Sequence, residues 1–142
     1  MKLELQPIGV VRTAATDLPR HCSVSDVEGT LVVDEALREG LADIRPGQLI
    51  AVLFWFHQSP PFDESYLKQR PPTTGELRGI FSTCSPIRPN PLGHSVVEVL
   101  AVRDNELAVR GLDMRDGTPI LDLKPHKEPR PVSSGSGAPR RC

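Results

Sequence analysis

Gln48 to Phe56, QLIAVLFWF, is a continuous apolar run of branched and aromatic residues without glycine or proline. Such a run predicts a central β-strand buried on both faces, with His57 and Gln58 at the point where the strand ends. Toward the N-terminus, Leu3 to Thr13 alternates in part and is rich in Ile and Val, and Glu28 to Asp34 (EGTLVVD) has the same character. Both predict strands. Asp34 stands where an N-cap would open a short helix through Glu35, Ala36, Leu37 and Arg38. Gly40 is placed to end that helix in a left-handed conformation, leaving it to plug one end of the sheet.

Toward the C-terminus, Ser59 to Gly75 (SPPFDESYLKQRPPTTG) is a proline-rich loop, too long for a plain connector. Arg78 to Thr83 returns as a strand, and SPIRPNPLGH (Ser85 to His94) is a turn stiffened by its prolines. His94 to Val102 and Glu106 to Leu112 predict a hairpin turning at Asp104 and Asn105. Asp116–Gly117 turns the chain into a last strand, Pro119 to Leu123. Six or seven strands with one short helix and no internal repeat predict an all-β fold, a small single-sheet β-barrel-like domain over residues 1–128. Residues 129–142 have the Pro, Gly and Ser content of a flexible C-terminal tail. No glycine-rich turn joins a strand to a helix, so any nucleotide cofactor must be held by another architecture.

The 142-residue length fits one domain. No run of eighteen apolar residues exists, and the N-terminus lacks a basic start followed by a hydrophobic stretch, so neither a membrane span nor an export signal is expected. Cys22, Cys84 and Cys142 are odd in number and form no Cys-x-x-Cys pair. Neither a disulfide framework nor a metal site is indicated, and a cytoplasmic setting is expected. Charge is uneven: residues 1–66 hold five Lys/Arg against ten Asp/Glu, residues 67–142 twelve against eight. The basic second half reads either as solvated surface or as a place to meet phosphate.

Arg78 to His94, RGIFSTCSPIRPNPLGH, has the rigid backbone that suits a loop for clamping a ligand. Asp113-Met114-Arg115-Asp116-Gly117 carries carboxylates able to receive ribose hydroxyls and amides able to meet an adenine edge. His57 and Gln58 put hydrogen-bonding groups beside aromatic surface, which suits an adenine or a sulfonium. Arg20, in Pro19-Arg20-His21, offers a guanidinium to a carboxylate. Each has a purely structural reading as well: turns that join strands, a satisfied strand-end histidine, a solvated arginine.

Together these segments resemble the tRNA N6-threonylcarbamoyladenosine methyltransferase family, also called TsaA-like or TrmO. The resemblance is carried in order by PIGVVRT (Pro7 to Thr13), PRH (Pro19 to His21), FWFHQ (Phe54 to Gln58), RGIFSTCSPIRPNPLG (Arg78 to Gly93) and LDMRDGTPILDLKPH (Leu112 to His126). It implies a small β-barrel, S-adenosylmethionine as cofactor, a homodimer, and methyl transfer to N6 of a threonylcarbamoyl-adenosine beside the tRNA anticodon. It also implies that the donor is contacted by Pro19, Arg20, His21, His57, Gln58, Cys84, His94, Leu112, Asp113, Met114, Arg115 and Asp116. Arg78, Arg88 and Asn90 are expected on the acceptor side. Two departures stand out: relatives read FATRSP where this chain reads FSTCSP, so Cys84 replaces an arginine, and longer relatives carry a further C-terminal domain. A methyltransferase of small molecules and a non-catalytic S-adenosylmethionine-binding module remain as alternative readings.

Overall fold

The computed structural model describes residues 1–129. Apart from residue 129, the tail expected over 129–142 lies outside the described residues. Among the described residues eight strands occur: β1 (Gly9–Arg12), β2 (Glu28–Val33), β3 (Leu49–Trp55), β4 (Lys68–Gln69), β5 (Arg78–Gly79), β6 (Leu92–Arg103), β7 (Glu106–Arg110) and β8 (Pro119–Pro125). Six of them close an antiparallel barrel in the order β1-β2-β7-β6-β3-β8, with β8 returning to β1, while β4 and β5 form a separate two-stranded ribbon. Closure leaves the barrel without an unpaired edge.

Alternation along each strand fills the interior. Ile50, Val52 and Phe54 of β3 point inward to meet Val97 and Val99 of β6, Leu107 and Val109 of β7, Leu31 and Val33 of β2, Val11 and Ile120. The expectation that β3 is buried on both faces holds on the outward side only for Ala51. Leu53 and Trp55 are half-buried and Leu49 is exposed, because a barrel wall has one interior face. The predicted hairpin is β6 and β7, turning at Asp104 with φ 51°.

Other boundaries differ from expectation for identifiable reasons. The first strand is only Gly9–Arg12, since residues before it have no partner in the barrel beyond Ile8, whose N–H donates to Ile120 at 2.8 Å. The helix is a 3₁₀ helix over Glu35–Leu41. Asp34 makes no side-chain cap there. Its carbonyl accepts from the Leu37 amide at 2.8 Å. Gly40 lies inside this helix, which continues one residue further to bury Leu41 in the core, and the next glycine, Gly47, is the one here with positive φ (90°). Only Arg78 and Gly79 of the predicted Arg78–Thr83 strand pair as a strand. Ile80–Ser82 then coils into a 3₁₀ turn that drives the Ile80 side chain into the protein, leaving it 1% exposed.

Candidate functional site

Three connections leave the same end of the barrel: 13–27 from β1 to β2, 56–91 from β3 to β6, and 111–118 from β7 to β8. They enclose a cavity of about 810 Å³, within the range that holds a drug-sized ligand. At its floor the Phe54 and Phe56 rings meet edge to face, centroids 5.0 Å apart. Phe54 pairs in register with Gly93, and a Cβ on Gly93 would stand 2.2 Å from two carbons of the Phe54 ring. Only glycine leaves the ring that space.

Each loop is fixed by its own hydrogen bonds. In the first, His21 caps the 3₁₀ turn Cys22–Val24, its Nδ1 accepting from the Ser23 amide at 3.1 Å. That places a neutral ring's proton on Nε2. In the second, Gln69 Nε2 donates to the carbonyls of Tyr66 (2.9 Å) and Ile87 (2.8 Å), and Ser59 Oγ to that of Pro86 (2.9 Å). Arg88 Nη1 donates to the Thr83 and Ser85 carbonyls, each at 3.0 Å. The third loop turns at Gly111 (φ 106°) and Gly117 (φ 82°), conformations open to glycine at little cost.

Across the cavity the loops meet. Arg115 Nη1 donates to Gln58 Oε1 at 2.5 Å, tying the third loop to the second. Ser95 Oγ donates to Asp113 Oδ1 at 2.6 Å, tying it to β6. Burial pushes the Asp113 carboxyl above its ordinary value, opposed by the Ser95 hydroxyl and by nearby His21. Burial likewise pushes the Cys22 thiol up, although its sulfur accepts from the Val96 amide at 3.5 Å. That upward shift ill suits Cys22 to nucleophilic work, since its reactive form is the thiolate. Among the described residues, no three of His, Cys, Asp and Glu gather as metal ligands.

The family model of the tRNA-methyltransferase O N-terminal domain matches residues 11–129. The chain belongs to this family. An S-adenosyl-L-methionine-binding protein of Archaeoglobus fulgidus is 40% identical over 123 residues, covering 84% of this chain and 86% of that protein. Two crystal structures of TrmO from Pseudomonas aeruginosa share the fold, with TM-scores of 0.71 and 0.67 at 30% and 31% identity. Both similarities cover 89% of this chain but only 55% and 57% of the solved ones, so the chain spans little more than half their length.

Within this tRNA-methyltransferase O N-terminal barrel, Pro19, Arg20, His21, His57, Gln58, Cys84, His94, Asp113, Met114 and Arg115 all line the cavity. Leu112 and Asp116 do not. The Leu112 side chain is fully buried in the barrel core, its carbonyl accepting from Ser25 Oγ. Asp116 faces β1, its Oδ1 accepting from the Thr13 amide at 3.0 Å and its Oδ2 lying 3.8 Å from Arg12. Of the residues expected on the acceptor side, Arg88 lines the cavity. Arg78 sits on the ribbon, paired with Glu76 at 3.0 Å, and Asn90 is exposed outside the lining. Sequence reading expects aromatic surface beside His57 and Gln58, which Phe56 supplies, but singles out neither Phe54 nor Ser95. The signal for Ser95 lies in β6, where the buried positions run Gly93, Ser95, Val97, Val99: a polar residue at an inward place calls for a partner.

Proposed function

We propose that the chain binds S-adenosylmethionine in the barrel-mouth cavity and transfers its methyl group to N6 of threonylcarbamoyl-adenosine beside the tRNA anticodon, working as a cytoplasmic homodimer. The observation that carries this reading is the convergence of Arg20, His57, Gln58, Asp113 and Arg115, from three separate loops, on one cavity with an aromatic floor. Those groups fit the donor. Arg20 meets its carboxylate, the Phe54 and Phe56 rings offer π-faces to its cationic or adenine part, and the Asp113 carboxylate takes a hydroxyl or ammonium. Family membership and the name of the Archaeoglobus relative support the same cofactor.

When bound, S-adenosylmethionine supplies an activated methyl group. The chain's own residues hold and orient it, because in-line displacement depends chiefly on keeping donor and acceptor aligned and close. Arg115 fixes the Gln58 amide so that its NH₂ is the group left for a ligand acceptor. Arg20, His57 and Gln58 are exposed, so the acceptor approaches from the open side.

Calorimetric titration tests the donor. At a hundredfold excess over Kd, S-adenosylmethionine should stabilise the fold by about 2.7 kcal/mol. Arg20→Ala and Gln58→Ala should each bind roughly ten- to hundredfold more weakly, and undiminished affinity in both would displace the proposed site. Nucleoside mass analysis of tRNA from cells lacking the gene tests the acceptor: loss of one methyl group from threonylcarbamoyl-adenosine is expected, and an unchanged profile would overturn it. The near-neutral formal charge of −1 favours a second reading, a methyltransferase of small molecules. Turnover of labelled donor with nucleic-acid-free extract would select that reading. Binding without any turnover would select a non-catalytic module.

A further inference from the structure

Among the described residues the arginines fall into three groups: those paired with a carboxylate, those lining the cavity, and Arg45, Arg70 and Arg103, which do neither. Arg12, Arg38, Arg78 and Arg110 each stand within 4.0 Å of a carboxylate. The three that line the cavity, Arg20, Arg88 and Arg115, have no carboxylate partner among the described residues. Against these three guanidiniums the cavity wall sets two carboxylates, Asp17 and Asp113, and the charge of Asp113 is opposed by its burial. The site is therefore cationic before any ligand enters. S-adenosylmethionine does not correct this, because one carboxylate, one ammonium and one sulfonium leave it with a net positive charge. An anionic group on the acceptor would complement that excess of positive charge.

Arg88 is the arginine built to receive it. Its Nη1 hydrogens go to the Thr83 and Ser85 carbonyls, which fixes the plane of the guanidinium against the loop. The Nε and Nη2 hydrogens bond no acceptor among the described residues, although the side chain is half-buried. A guanidinium held in this way offers a fork of donors and loses little entropy on binding a planar or tetrahedral oxyanion. Arg115 already spends a donor on Gln58, and Arg20 is the exposed, unrestrained one assigned to the donor carboxylate.

We infer that Arg88 receives an anionic oxygen group of the methyl acceptor and so makes the site selective for acidic acceptors. The inference rests on the methyltransferase reading above. On the proposed substrate two groups have this chemistry: the carboxylate of the threonyl substituent and the phosphodiester next to the modified base.

The test uses the whole chain with S-adenosylmethionine and three anticodon stem-loops, carrying threonylcarbamoyl-adenosine, its threonine-amide counterpart, or unmodified adenosine. If the carboxylate is the ligand, the wild type should prefer the acid to the amide by roughly ten- to hundredfold in kcat/KM. Arg88→Gln should lose that preference, and Arg88→Lys should keep part of it. Donor affinity in both should remain near wild type, as in the control Arg103→Gln at the far end of β6. If the phosphodiester is the ligand, acid and amide should react alike in wild type. Arg88→Gln should then slow both and lower the salt dependence of stem-loop binding by about one unit. Equal rates for acid and amide together with an unaffected Arg88→Gln would overturn the inference while leaving the methyltransferase reading intact. Absence of transfer to every stem-loop would overturn both. If Arg88→Gln melts early, the comparison of acid with amide in wild type and Arg88→Lys still decides.

Discussion

Gly93→Ala is a change that local propensity would favour and this barrel should reject. In a strand, alanine is ordinarily preferable to glycine by roughly 0.5–1 kcal/mol, because glycine loses more conformational freedom on folding. Here the added carbon would lie 2.2 Å from Cε2 and Cζ of Phe54, and 2.8 Å from Cε1. Carbon atoms rest about 3.5–4.0 Å apart, so the ring or the strand must move by more than an ångström. The ring is 2% exposed and already pressed against Phe56, which leaves the cavity above it as the direction of escape. Overpacking of this kind costs about 1–3 kcal/mol, and at roughly 3–6 °C per kcal/mol for a domain of this size the melting temperature should fall by about 3–18 °C. The displaced ring should also weaken S-adenosylmethionine binding in calorimetric titration. Phe54→Leu in the same chain removes the obstruction, so the double variant should melt well above the sum of the two single losses. Melting at or above the wild-type temperature for Gly93→Ala, or strictly additive losses, would refute this account of the floor.

Three further outcomes are expected. Because the folded-state pKa of Asp113 is raised, its ionised form burdens the fold above that value. Stability should therefore rise as pH falls from neutral into the carboxylate range through this group, and Asp113→Asn should melt no lower than wild type at neutral pH and flatten that part of the profile, as thermal melts across pH would show. Ile80→Ala removes the buried anchor of the 56–91 loop at a cost of about 2–5 kcal/mol, and hydrogen exchange should show the greatest loss of protection in that loop. Arg115→Ala frees the Gln58 amide, so its effect on donor affinity and that of Gln58→Ala should combine less than additively in a double-mutant cycle.

What was legible in the sequence was what periodicity and turn chemistry encode. The apolar run of β3, the hairpin of β6 and β7 and the Asp116–Gly117 turn are local patterns, and they are present in the fold. So was the set of segments that meet at the cavity, since His57–Gln58 and Asp113–Arg115 sit where strands end and loops begin. The rest depends on partners distant in sequence. Ile80 belongs to a stretch with strand character but coils because its side chain finds a buried place. Gly40 looks like a stop signal until Leu41 is seen to need one more residue of helix. The Ser95–Asp113 bond joins β6 to a loop beyond β7: an inward serine in β6 calls for a partner, but no local pattern says that the partner is Asp113. Asp116 has the same turn chemistry as its neighbours yet is used to hold β1.

The seam between β1 and β8 joins the first strand of the barrel to the last, pairing Gly9 with Ile120 and Val10 with Pro119. Contacts so far apart along the chain carry a large loop-closure cost and form late. On the ribosome, β1 and β2 can pair as soon as they emerge, but one side of β1 must wait until residues 119–125 have been made. Until then the 111–118 connection that walls the cavity has no β8 to anchor it, and the nascent chain exposes a strand edge open to pairing with a neighbour. The final strand thus ends that exposure and completes the site in one event.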